Sequence, residues 1–393
     1  MRVVVAPDKF KESLSAAAVA AALADGVRDV VPEAECVVIP MADGGDGTVE
    51  AFVASGATPR TVRVSGPLGE PVDATYARHD ATAIIEMAAA SGLALLHGRR
   101  DPRRASTRGT GELLRDALDG GARRILLGIG GSATTDGGAG ALAALGARFF
   151  DREGAELEPT PIGLTAVQRI DLSGLDPRLR PSAASGEAEV HIAVACDVDS
   201  PLLGPLGAAA VFGPQKGAGA ADVAFLDRTL ARLADAMTAE TGHDLRYRPG
   251  AGAAGGLGWA LASACGASLE RGVGLIAAVR GLPDALRGAD WCFTGEGRID
   301  EQTLRGKVVD GVAAIARGAG VGTIVAFGGA VDLRAETELR ARGVRCMPIA
   351  PGPLSLEEAM RDAAANLRAA AARAAALLTA SSSRTNGGEH RDA

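Results

Sequence analysis

Three loops constrain this chain more than anything else in it. MADGGDGT at 41–48, GIGGSATTDGGAG at 128–140 and TGEGRID at 294–300 each follow an apolar run and mix glycines with acids. Glycine lets the backbone take positive φ and lets a ligand approach main-chain N–H groups. A carboxylate beside those groups repels phosphate unless a cation lies between them. Apolar strands ending in such loops belong to an α/β fold whose strand ends face a ligand, and the combination points to a metal-bound polyphosphate. The 53 glycines in 393 residues exceed the usual share of about 7%. There is no collagen period and no low-complexity tract, so the excess belongs in turns and ligand loops.

The runs at 2–6 and 35–40 are β-branched and separated by an alanine-rich helical segment at 14–30, which makes a β-α-β unit. The far end repeats the pattern: strands at 290–295, 323–329 and 346–350 alternate with helical stretches at 303–318, 332–342 and 355–378. The predicted fold class is therefore α/β with two domains. Residues 1–57 and 289–380 form a discontinuous, doubly wound parallel sheet. Residues 58–288 are an inserted mixed α/β domain that opens with an antiparallel meander (TVRVSGPLGEPVDATYA, then TAIIEMA) and holds two buried runs, RILLGIG and VHIAVACDV. Two crossings between domains predict a hinged cleft where the loops of both meet. The polar tail at 381–393 is expected to be disordered.

Composition excludes several classes. A net charge of −7 with dispersed Lys and Arg, and only 3% aromatics, leave no footprint for nucleic acid. Five widely spaced cysteines, odd in number, read as buried thiols in a reducing compartment. No run reads as a membrane span or a leader, so a soluble cytoplasmic protein with no membrane partner is expected. No GxxxxGK[ST], no paired HRD and DFG, and no GxSxG occurs, and none of the five histidines falls in a paired motif.

The candidates lie at strand ends. Asp8, Lys9 and Lys11 follow the first strand; the lysines suit a phosphate or a carboxylate, and Asp8 a cation or a hydroxyl proton. Asp43 stands too far upstream to cap the helix starting near Val49, which favours a ligand role, whereas Asp46 divides evenly between cap and ligand. Gly130, Gly131 and Ser132 offer N–H and hydroxyl donors to phosphate, with Asp136 either capping the next helix or facing a metal. Gly128, Gly130 and Ala133 also match the dinucleotide pattern, with Asp151 near the distance of a ribose contact, which keeps a nicotinamide-dependent oxidoreductase acting on a small hydroxy acid in play. Asp197 and Asp199 end a strand beside Pro201, a placement that suits metal ligands. Lys216, in a glycine-flanked loop, divides equally between a solvated lysine and a phosphate ligand. Glu296 and Asp300 are metal candidates, with Gly295 beside them on the nucleotide side. Arg298, between the two acids, either neutralises them or grips a carboxylate with its planar fork.

Several strings are long and irregular: VVVAPDKFKESLS, ADGGDGT, GIGGSATTDGGAGAL, ACDVDSPLLGPLGAA with FGPQKGA, and TGEGRIDEQTLRGK. Together, from residue 3 to about 350, they resemble the type I glycerate kinases of bacteria. The resemblance implies a flavodoxin-like discontinuous domain beside a second α/β domain, with ATP and Mg²⁺ as cofactors. The implied reaction is phosphorylation of D-glycerate, mostly to 2-phosphoglycerate, in organic acid metabolism of the glyoxylate type. On this reading Arg298 and the lysines near the first strand orient glycerate, and Asp43 or Asp197 draws the proton from the attacking hydroxyl. The expected assembly is a monomer or homodimer. A non-catalytic protein that binds small anions is a third reading.

Overall fold

The computed structural model describes residues 1–45, 47–180, 188–352 and 354–386, with side chains to 380. The chain divides into two compact units, Met1–Asp43 with Val273–Ala393, and Gly44–Gly272. The crossings fall at 43/44 and 272/273 rather than at 57/58 and 288/289. The cause is local packing: the Thr48–Val53 helix lies against strands of the inserted unit, and the Leu282–Leu286 helix against the Val308–Gly318 helix of the other.

In chain order, β1 (Arg2–Val5) and β2 (Glu35–Val38) belong to the first unit. The inserted unit holds β3 (Thr58–Ser65), β4 (Pro71–His79), β5 (Thr82–Glu86), β6 (Arg124–Gly128), β7 (Arg148–Phe150), β8 (Arg169–Asp171), β9 (His191–Ala195) and β10 (Ser268–Glu270). The chain then returns to the first unit with β11 (Trp291–Ile299), β12 (Thr323–Val331) and β13 (Val344–Pro348).

The first unit is one five-stranded parallel sheet in the order β13-β12-β11-β1-β2. Counted within the unit this is the flavodoxin-like order 2-1-3-4-5, whose direction reverses between β1 and β11. The Ala16–Val30 helix starts at Ser15, whose hydroxyl accepts from the Ala18 N–H at 3.3 Å, and turns Val19, Leu23 and Val27 inward at helical spacing. That stripe packs on the C-terminal helix, where Gly26 lies so near the Arg368 carbonyl that a Cβ would meet it at 2.1 Å. Phe293 stacks edge-on against Phe327 at 5.1 Å, part of the core shared with Val3 and Val5.

The inserted unit carries a six-stranded sheet, β10-β9-β6-β5-β4-β3. Its first four members run parallel, and β4 and β3 add the antiparallel meander. A separate ribbon pairs β7 with β8.

Three expectations change. TGEGRID is not a loop, because β11 continues through it and pairs with β12 as far as Ile299 opposite Val331. The stretch expected as one helix at 355–378 is two, Leu356–Arg361 and Ala363–Asn386. The second runs past the start of the expected tail; of that tail, 387–393 lie outside the described residues.

Candidate active site

In doubly wound sheets ligands bind beyond the carboxyl ends of the strands where the order reverses. In the first unit that point lies between β1 and β11, and the candidates Asp8, Lys9, Lys11, Asp43, Glu296, Arg298 and Asp300 stand at the ends of β1, β2 and β11 or just beyond them. The chain leaving β1 is pinned to β11 by the Asp8 N–H, which donates to the Gly295 carbonyl at 2.8 Å, and to the segment after β2 by the Met41 N–H donating to the Pro7 carbonyl at 2.8 Å. It then folds over β11, with Phe10 and Lys11 lying above Gly297.

The electrostatics of this point are those of crowded acids. Burial pushes the Asp8 carboxyl up to about 7, helped by the charges of Asp43 and then Glu296, while its bond from the Lys9 N–H at 2.7 Å works the other way. Glu296, 7% exposed, is likewise pushed up to about 7, first by burial and then by Asp300 and Asp43. The Thr303 hydroxyl, donating to Glu296 Oε1 at 2.6 Å, and Lys307 hold it back. Asp43 acts on both groups, so the three carboxylates share one electrostatic neighbourhood.

Around them, Arg298 is highly exposed and pairs with Asp300, Nε to Oδ2 at 3.6 Å, so most of its guanidinium lies in solvent. Lys11 is also exposed. Asp300 accepts from the Gln302 N–H at 2.8 Å, and its own N–H donates to the Thr303 hydroxyl at 3.0 Å. Asp46 lies outside the described residues. Gly295 is buried within β11, and a Cβ there would meet the Phe327 carbonyl at 2.6 Å, so strand packing by itself requires a glycine there.

In the inserted unit the ends of β6 and β9 form a second edge. Gly44 and Gly45 cross it, so close that a Cβ on Gly128 would meet the Gly44 carbonyl at 2.1 Å and one on Gly44 the Ala195 side chain at 2.5 Å. Beyond β6, Gly130 and Gly131 are exposed, Gly131 has φ +70°, and Ser132 bridges to Gly92. Beyond β9, Asp197 accepts from the Gly272 N–H at 3.1 Å, and Arg271 donates to the Asp197 carbonyl at 2.8 Å while pairing with Asp199 at 3.3 Å.

Two candidates in this unit have other employment. Asp136 is 1% exposed, and its carboxylate accepts from the Thr107 N–H (2.7 Å) and hydroxyl (2.8 Å) and from the N–H groups of Gly138 (3.1 Å) and Gly140 (3.2 Å). A carboxylate so surrounded holds its loop together and does not face a ligand. Lys216 is also 1% exposed, and its ammonium donates to the Thr134 carbonyl at 2.5 Å, so it is neither the solvated lysine nor the outward phosphate ligand expected. Thr107 and Thr303 were missed. Their only signal was a hydroxyl near a helix start, in STRGTGEL and EQTL, a position that usually means a cap.

The model of the family described as glycerate kinase matches residues 3–379. The chain belongs to the glycerate kinase family. It is 45% identical over 370 residues to the glycerate kinase of Bacillus subtilis, covering 93% of this chain and 94% of that one. To the glycerate 2-kinase of Escherichia coli it is 47% identical over 322 residues, with 81% and 82% covered. A crystal structure of a candidate glycerate kinase 2 from Salmonella typhimurium LT2 superposes with a TM-score of 0.85 at 43% identity, covering 98% of this chain and 99% of that one. The chain is thus a phosphotransferase with an alcohol acceptor. The oxidoreductase reading gives way on structural grounds too: the glycines at 128 and 130 do not open a helix, which begins only at Ala139. No helix among the described residues is long and apolar enough to cross a membrane.

Proposed function

We propose that this glycerate kinase family member transfers the γ-phosphoryl group of ATP to D-glycerate and forms 2-phosphoglycerate, in organic acid metabolism of the glyoxylate type. The observation that carries the acceptor side is the β1/β11 reversal point, where raised carboxyls stand beside an exposed, forked cation. The name of the Escherichia coli relative supports the 2-position.

Arg298, with Lys9 and Lys11, takes the glycerate carboxylate, and Asp8 and the Asp43–Asp46 loop take its hydroxyls. The 2-hydroxyl oxygen forms the new bond to phosphorus as the bond to the ADP oxygen breaks. Its proton passes to a carboxylate, Asp43 or Asp197. On the nucleotide side the exposed Gly130–Ser132 turn offers its donors to the phosphates. Among the described residues no group of three or more acidic, histidine or cysteine side chains is arranged to hold a metal ion. Magnesium brought by ATP asks for only one or two carboxylates besides phosphate oxygens, which the acidic strand ends fit, with Asp197, Glu296 and Asp300 as the candidates. When bound, the ion offsets phosphate charge. Five free cysteines suit a reducing cytoplasm.

The test is a coupled ADP assay with D-glycerate, with and without Mg²⁺. Turnover that requires all three components supports the reading, and ATP turnover indifferent to glycerate contradicts it.

A further inference from the structure

Lysine is almost never fully buried unless a partner requires it. Lys216 is among the largest fully buried side chains of this protein, although an uncharged side chain of similar length would fill the space without the loss of hydration. What the ammonium supplies is specific. It donates to the carbonyl of Thr134, two residues after the exposed Gly130–Ser132 turn, and the one charge it faces is that of Asp136. Arg100 packs beside the next residue, Gly217, and the Ala208–Phe212 helix against the same turn carries no charge. The hydroxyls of Thr134 and Thr135, 0% and 1% exposed, have no partner.

A second element grips the same segment. Ala254, Gly255 and Gly256 take three successive left-handed conformations, with φ of +51°, +69° and +98°. Gly255 accepts from the Gly137 N–H at 2.9 Å and comes so near that a Cβ on it would meet the Thr134 carbonyl at 2.1 Å. A left-handed stretch of backbone and a buried charge both act on residues 134–137 and converge on the Thr134 carbonyl. Neither is needed merely to close a strand-to-helix turn.

We propose that Lys216 is a positioning residue for the nucleotide phosphates, which fixes the Thr134–Asp136 segment beneath the Gly130–Ser132 turn and supplies the positive charge that an anion bound at that turn requires. The inference rests on the kinase reading, in which the turn takes phosphate. Burial holds the Lys216 ammonium down to about 7, and Asp136 raises it. An arriving phosphate raises it further, so MgATP binding draws a proton onto Lys216.

The test uses the full chain with MgATP as probe and compares wild type, Lys216→Met, which loses bond and charge, and Lys216→Gln, which keeps a donor and loses the charge. Charge-assisted hydrogen bonds set the scale: in both variants KM for MgATP rises on the order of tenfold, while KM for glycerate stays. The rise of the wild-type KM for MgATP above about pH 7 disappears in both. Asp8 and Glu296 titrate in the same range but remain in the variants, so the difference between profiles belongs to Lys216. Variants with the wild-type KM for MgATP and the wild-type pH profile overturn the proposal. So does an equal rise in both KM values accompanied by a lower Tm, the mark of a merely structural lysine. If the variants do not fold, calorimetry at pH 7.5 in two buffers of different ionisation enthalpy, on wild type and on the Asp8→Asn and Glu296→Gln variants, decides: proton uptake with MgATP that survives both changes supports the role, and uptake that they abolish, or binding without uptake, overturns it. A wild type that does not bind MgATP at all contradicts the kinase reading itself.

Discussion

Asp8 and Glu296 carry the clearest consequence of single residues placed in a crowded acidic corner. Both are raised to about 7 in the folded chain, so the protonated forms are favoured there. Their contribution to stability is complete below the ordinary carboxylate range and is lost as pH rises through about 7. Without ligands the melting temperature is therefore expected to fall between about pH 4 and 7, and Asp8→Asn to flatten part of that fall; equal slopes in the two proteins speak against a raised Asp8. Arg298 is tested by a conservative change. Arg298→Lys keeps the charge and loses the planar fork, so KM for glycerate should rise by the equivalent of about 1–3 kcal/mol with KM for ATP little affected. Weakening of ATP alone would move Arg298 to the phosphate side. Asp197→Asn should lower kcat by a factor of about 10² or more if Asp197 takes the proton or meets the metal. Near-normal turnover removes it and leaves Asp43 as the proton acceptor.

At the scale of elements, the loop between β6 and the Ala139–Ala144 helix depends on Thr107, whose hydroxyl donates to Asp136 and accepts from the Ala141 N–H at 2.9 Å. Thr107→Val leaves a buried carboxylate short of a donor and an N–H without its acceptor, and should cost about 1–3 kcal/mol in chemical denaturation. A loss within experimental error would show that Asp136 is held by its three backbone donors alone. The same loop shows what the sequence made legible. Its glycines and its place after an apolar strand were readable, because both are local properties of the chain. That Asp136 and Lys216 turn inward was not, because their partners, Thr107 and the Thr134 carbonyl, come from elsewhere in the sequence. TGEGRID misled for a related reason: two glycines among charged residues read as a turn, yet β12 supplies a pairing partner as far as Ile299 and keeps the segment extended to that point. The meander was legible because alternation with a Gly-Pro and Gly-Glu-Pro turn is a short-range signal.

For the whole molecule, strand order decides more than any single motif. That the two ends of the chain join in one doubly wound parallel sheet was foreseen from the spacing of short β-branched runs and helical stretches, whereas the strand order, with its reversal between β1 and β11, is read from the structure. The crossings at 43/44 and 272/273 were not, because they depend on which sheet the short flanking helices choose to pack against. The account's central claim is that these strand ends hold D-glycerate so that its 2-hydroxyl meets the γ-phosphoryl group of ATP. Proton-coupled ³¹P NMR of the product formed from MgATP and D-glycerate tests this most directly, since a phosphate ester at C2 couples to one carbon-bound proton and an ester at C3 to two. The account predicts a doublet, 2-phosphoglycerate, growing in step with ADP. A triplet from 3-phosphoglycerate, or inorganic phosphate alone, would contradict it.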